Sequence, residues 1–108
     1  MGGRACMTRR LMILLLLVCA GARGADPGTQ LRIKDFHFVP GEVSVAVGTR
    51  VTWANEDEDA HTVVSDNGLF RSPALDTHES FQFTFDRPGV YHFSCSLHPQ
   101  MVGTVVVK

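Results

Sequence analysis

Val90-Tyr91-His92-Phe93-Ser94-Cys95-Ser96-Leu97-His98-Pro99-Gln100-Met101-Val102-Gly103-Thr104-Val105-Val106-Val107 is the stretch from which the rest of the chain can be read. Tyr91, Phe93 and Cys95 fall on one side of an alternating run, His92 and Ser94 on the other, and Val105 and Val107 resume the period further on. Alternation of this kind marks a half-buried strand, so the stretch is expected to be two strands joined by a loop. That loop carries a thiol, an imidazole and a thioether at even steps of three: Cys95, His98 and Met101. Soft sulfur beside imidazole suits a transition metal, and two His and one Cys with a weak axial Met suit a redox-active copper ion. One imidazole is missing from the hairpin itself.

The search for it leads upstream through more strand-like sequence. Leu31 to Phe38 alternates as one half-buried strand, Pro40-Gly41 punctuates it, and Val43 to Val47 alternates again up to Gly48. Arg50 to Asn55 reads as a further strand with Val51 and Trp53 on one face, and His61-Thr62-Val63-Val64-Ser65 as another. Leu69 to Glu79 is expected to be irregular, with one short helical turn around Ala74 to Asp76. Phe81, Phe83 and Phe85 then give a strand with an aromatic inner face. Seven or eight short strands with Gly/Pro turns and no helical periodicity imply an all-β sandwich or barrel. His61 stands at the start of its strand and is the imidazole favoured for the vacancy; His37, His78 and His92 are the other candidates.

From about Leu31 to Lys108 the sequence resembles the small cupredoxins of the plastocyanin, pseudoazurin and amicyanin group. The resemblance lies in Thr52-Trp53-Ala54-Asn55 ahead of His61, in Pro88-Gly89-Val90-Tyr91 leading to Cys95, and in His98-Pro99-Gln100-Met101-Val102-Gly103. The two-residue gap between Cys95 and His98, with Met101 three further on, is most similar to the short amicyanin-type loop. The resemblance implies a Greek-key β-sandwich and a single type 1 copper held by His61, Cys95, His98 and Met101. It also implies one-electron transport between redox proteins, such as a c-type cytochrome or a periplasmic dehydrogenase or reductase, with no catalysis on a substrate. It leaves His37, His78 and His92 as surface or second-layer residues. Asn55 matches the family residue that ties the upstream loop to the ligand loop. Many relatives carry Asn directly after the first ligand His, where this chain has Thr62.

The N-terminus reads as an address. Arg4, Arg9 and Arg10 precede the apolar run Leu11 to Ala20, which is too short for a bilayer span and fits a signal peptide. Residues 1–24 are therefore expected to be removed, 25–30 to form a flexible leader, and 31–108 to be the cupredoxin domain. Thr8-Arg9-Arg10 also fits twin-arginine export, and Leu17-Val18-Cys19 is a partial lipoprotein box in which Val18 replaces a small residue. Either route leads out of the cytoplasm, and a periplasmic location is expected.

Processing sharpens the composition. Of three cysteines and four methionines, only Cys95 and Met101 remain, both in the hairpin. A lone thiol in an oxidising compartment needs an occupation, and metal ligation provides one. Loss of Arg4, Arg9, Arg10 and Arg23 leaves six basic residues against eleven acidic ones, a formal charge of about −5 where the whole chain has −1. An acidic monomer with no membrane span disfavours nucleic acid and anionic lipid and favours a cationic protein partner. The run Glu56-Asp57-Glu58-Asp59 is either a solvated turn or a steering patch for that partner. A periplasmic copper carrier or storage module is the alternative function, although such modules favour Met-rich or His-rich open sites. A Cys95 nucleophile and a zinc site are weaker rivals, since no third catalytic partner is evident and thioether is a poor zinc ligand.

Overall fold

The computed structural model describes residues 28–108, so the expected signal peptide and the first half of the expected leader lie outside the described residues. Eight strands form: β1 (Thr29–Lys34), β2 (His37–Val39), β3 (Glu42–Val45), β4 (Thr49–Asn55), β5 (Val64–Ser65), β6 (Ser80–Phe85), β7 (Gly89–Cys95) and β8 (His98–Val107). They make two four-stranded sheets, ordered β2-β1-β4-β6 and β3-β8-β7-β5. β1 runs parallel to β4 and β3 parallel to β8, and the remaining pairs are antiparallel. The expected all-β Greek-key sandwich is borne out.

Period-two sequence becomes period-two burial. Leu31 and Ile33 of β1, Val51 and Trp53 of β4 and Phe85 of β6 face Val45 of β3, Phe93 and Cys95 of β7 and Met101, Val105 and Val107 of β8 across one core. Trp53 sits at its centre, with its ring 5.4 Å from Phe93 and 5.5 Å from Phe70. Aromatic pairs at such separations add to the burial of their area. Cys95 is thus a core position as well as a loop position, which puts its thiol at the end of the sandwich interior.

Three local expectations are corrected. Leu31 to Phe38 is a hairpin rather than one strand: β1 turns back into β2 through Asp35 and Phe36, whose φ values are 51° and 62°. Both turn residues are left-handed, as a two-residue hairpin turn that matches strand twist requires. β1 also takes in Thr29 and Gln30, paired with Val51 and Thr52, although the sequence reading leaves them in the leader. Finally, the short helical turn around Ala74 to Asp76 does not form. Leu75 is extended there and exchanges both backbone hydrogen bonds with His61, Leu75 N to His61 O at 2.7 Å and His61 N to Leu75 O at 3.1 Å. The buried Leu75 side chain anchors that bridge in the core.

Candidate metal centre

His61 is placed by backbone pairing and aimed by a carboxylate. Its bridge to Leu75 fixes the main chain, and its fully buried ring lies within 2.9 Å of Asp57 Oδ2 through Nε2. A carboxylate only accepts, so Nε2 donates to Asp57 and Nδ1 is the ring nitrogen left free of it. That Nδ1 faces Cys95 Sγ at 3.8 Å.

Asp57 does more than hold His61. Its Oδ1 accepts the Asp35 N–H at 2.7 Å and its Oδ2 the Phe36 N–H at 2.9 Å. The carboxylate therefore joins the left-handed β1–β2 turn to the imidazole. Burial pushes the Asp57 carboxyl up, but the Phe36 and Asp35 N–H groups and the His61 ring outweigh it and hold it below its ordinary value. Asp57 itself is kept in place by its N–H to Asn55 Oδ1 at 2.9 Å and by the Thr77 hydroxyl on its carbonyl at 2.7 Å.

Cys95 and His98 flank the two-residue turn Ser96-Leu97 and pair with each other across it. The next pair inward is Ser94 with Val102, so Pro99, Gln100 and Met101 are taken up as an irregularity on β8. A bulge is one of the few places a sheet accepts proline, and this one turns the Met101 side chain into the buried end of the sandwich, 2% exposed. His98 is half-buried, with its ring 5.2 Å from that of His61. Among the described residues no three His, Cys, Asp or Glu side chains are gathered into a ready-made cage. The donors form a mixed set, with the His61–Cys95 pair facing and His98 beside it.

The Cys95 sulfur is well supplied with donors. Thr62 N–H lies 3.3 Å from Sγ and the Thr62 hydroxyl 3.7 Å from it. Burial raises the thiol, yet the Thr62 N–H, His61, the Leu97 N–H and the Thr62 hydroxyl together bring it below its ordinary value. Thr62 also links the two segments, because its hydroxyl accepts the Ser96 N–H at 2.8 Å and lies 2.8 Å from the Ser96 hydroxyl. Asn55 does not reach the hairpin; its amide donates to the Asp59 and Leu75 carbonyls, both at 2.9 Å. The tie expected of Asn55 is made by Thr62.

His37, His78 and His92 are all exposed, as expected of surface residues. The acidic run divides: Glu58 and Asp59 are exposed, Glu56 pairs with Arg32 at 3.0 Å, and Asp57 is buried. Asp57 was not separable from its neighbours in sequence. Neither was Phe36, which is 40% exposed and meets the rings of His61 and His98 edge-on at 5.1 and 4.8 Å. Leu97 and Val102 are also exposed, at 53% and 63%.

With the sandwich and this donor geometry established, comparison with known proteins is decisive. The family model for the cupredoxin-like domain matches residues 9–107. The chain belongs to the cupredoxin-like family. Over 85 residues this cupredoxin is 32% identical to amicyanin-alpha of Methylorubrum extorquens, covering 74% of this chain and 71% of that one. It is 31% identical over 94 residues to amicyanin of Paracoccus denitrificans, covering 82% and 72%. Among solved structures, a reduced Cu(I) form of an amicyanin variant superposes with a TM-score of 0.73 at 30% identity, covering 78% of this chain and 85% of that one. A purple cupredoxin from Nitrosopumilus maritimus gives 0.69 at 36% identity, covering 74% and 99%.

Proposed function

We propose that this cupredoxin is an exported, monomeric one-electron carrier in which His61, Cys95, His98 and Met101 would hold a single type 1 copper ion. The observation that carries the reading is His61 Nδ1 facing Cys95 Sγ at 3.8 Å while Nε2 is engaged by Asp57. An imidazole with one nitrogen engaged and the other aimed at a buried thiol is prepared for a metal rather than for solvent.

The donors fit copper chemically. Thiolate and thioether favour Cu(I), imidazole serves both oxidation states, and the bound ion supplies reversible one-electron chemistry between Cu(I) and Cu(II). The protein's own part is to keep the donors still. Cys95 and Met101 are held by the core, and His61 by Leu75 and Asp57. Little then has to move when an electron arrives or leaves. This donor set suits one-electron carriage rather than chemistry on a substrate.

Half-buried His98, with the exposed Phe36, Leu97 and Val102, supplies the edge through which the electron passes to a redox protein such as a c-type cytochrome or a periplasmic dehydrogenase or reductase. Glu58 and Asp59 lie outward of Asp57 and steer a cationic partner. The test is the absorption spectrum of the Cu(II) form together with cyclic voltammetry. A strong thiolate-to-copper band, lost in Cys95→Ser, with a reversible one-electron wave is the expected result. A colourless complex that takes only Cu(I) would turn the reading toward a copper carrier in the periplasm.

A further inference from the structure

The Thr62 hydroxyl has more partners within reach than it has protons. Its oxygen accepts the Ser96 N–H at 2.8 Å, which leaves one proton to donate and one further lone pair. Two groups compete for what remains: the Ser96 hydroxyl at 2.8 Å and the Cys95 sulfur at 3.7 Å. If Ser96 donates to Thr62, the Thr62 proton is directed at Sγ and adds a hydroxyl donor to the Thr62 and Leu97 N–H groups already there. If Thr62 donates to Ser96, the sulfur keeps the backbone N–H donors and loses the hydroxyl. Thr62 is buried and Ser96 exposed, so the choice between these arrangements is made at the protein surface but felt at the thiolate.

We infer that Thr62 and Ser96 form a two-hydroxyl device that sets the reduction potential of the centre by granting or withholding a hydroxyl hydrogen bond to the Cys95 thiolate. The inference rests on the copper reading above. A donor to sulfur stabilises the more electron-rich, reduced state and raises the potential; withdrawing it lowers the potential. Thr62 and Ser96 are positioning residues, acting on the electron through Cys95.

The sequence position matters because the two hydroxyls have opposite effects. Thr62→Val keeps the shape and the backbone N–H but removes the hydroxyl, and so lowers the potential. Ser96→Ala removes the competing oxygen, leaves Sγ as the hydroxyl's remaining protein acceptor, and so raises it. Thr62→Ser keeps the hydroxyl and restores the potential. Since Ser96 acts only through Thr62, Ser96→Ala has no further effect once Thr62 is Val.

The experiment is voltammetry and absorption spectroscopy of the copper-loaded protein and these four variants. A hydrogen bond to a charged sulfur corresponds to about a tenfold change in the oxidised-to-reduced ratio at a fixed poise, or about 59 mV for one electron. The expected result is opposite shifts for Thr62→Val and Ser96→Ala, rescue by Thr62→Ser, and a double variant equal to Thr62→Val. In Thr62→Val the thiolate-to-copper band also moves to lower energy. Shifts of the same sign, no shift, or additive effects in the double variant overturn the inference while leaving the copper reading intact. Absence of the band from the unsubstituted protein overturns both.

Discussion

Replacing Asp57 by Asn tests how much of the site depends on one carboxylate. The side chain keeps its size but loses its charge and one acceptor oxygen. In the structure that carboxylate accepts the Asp35 N–H at 2.7 Å, the Phe36 N–H at 2.9 Å and the His61 Nε2–H at 2.9 Å. The Asn amide nitrogen cannot accept, so at least one of the three donors is left facing an N–H. A hydrogen bond to a charged group contributes about 1.5–3 kcal/mol, and two of the donors belong to left-handed, non-glycine residues whose backbone costs about 1–3 kcal/mol each to hold. The expected loss is about 3 kcal/mol, or roughly 10–25 °C in Tm for a domain of this size. Glu58→Gln and Asp59→Asn change exposed carboxylates and stay within about 0.5 kcal/mol of the parent. Urea unfolding of the copper-free proteins is the assay. Because the folded Asp57 carboxyl lies below its unfolded value, its stabilisation is complete above the unfolded pKa of about 3.9 and is lost as pH falls through the folded one. The gap between parent and Asp57→Asn should therefore narrow in acid. An Asp57→Asn protein as stable as Glu58→Gln would refute the reasoning.

Other consequences can be checked separately. Copper added to the metal-free protein should raise Tm and a chelator should reverse the rise, with about 2.7 kcal/mol gained at a hundredfold excess over Kd. Gly103→Ala should destabilise by about 1–3 kcal/mol in urea titration, because a Cβ at Gly103 falls 2.4 Å from Cζ of the buried Phe93 ring. Phe36→Asn should leave stability nearly unchanged, since Asn tolerates the left-handed turn, yet slow electron self-exchange by removing the ring that meets His98. Neutralising Glu58 and Asp59 together should slow association with a cationic redox partner on the order of tenfold at low salt and have no effect at high salt.

Where the signal was periodic, the sequence was legible. Trp53, Phe93 and Cys95 sit on inner faces because alternation put them there, and the even spacing of Cys95, His98 and Met101 marks the hairpin. The β1–β2 turn was hidden for a physical reason: Asp35-Phe36 lacks the Gly or Asn that ordinarily signals φ above zero. Its stabilisation comes from Asp57, which is local in space and distant in sequence. The same holds for Leu75, extended because it pairs with His61, and for Thr62, whose hydroxyl takes over a tie assigned to Asn55. Asp57 itself looked like one of four surface acids, since a run of like charges carries no mark of which member turns inward.

The irregular step on β8 separates two kinds of freedom. Upstream of Val102 the ladder is broken, because Pro99, Gln100 and Met101 fall between the Cys95–His98 and Ser94–Val102 pairs, so a change of length there can be absorbed locally. From Val102 onward the pairing with β7 is regular, and one extra residue would turn Gly103, Val105 and Val107 outward. Evolution can thus re-tailor the tip that carries the donors while the sheet behind it stays in phase, and a designer exchanging tips between relatives should cut no later than Met101.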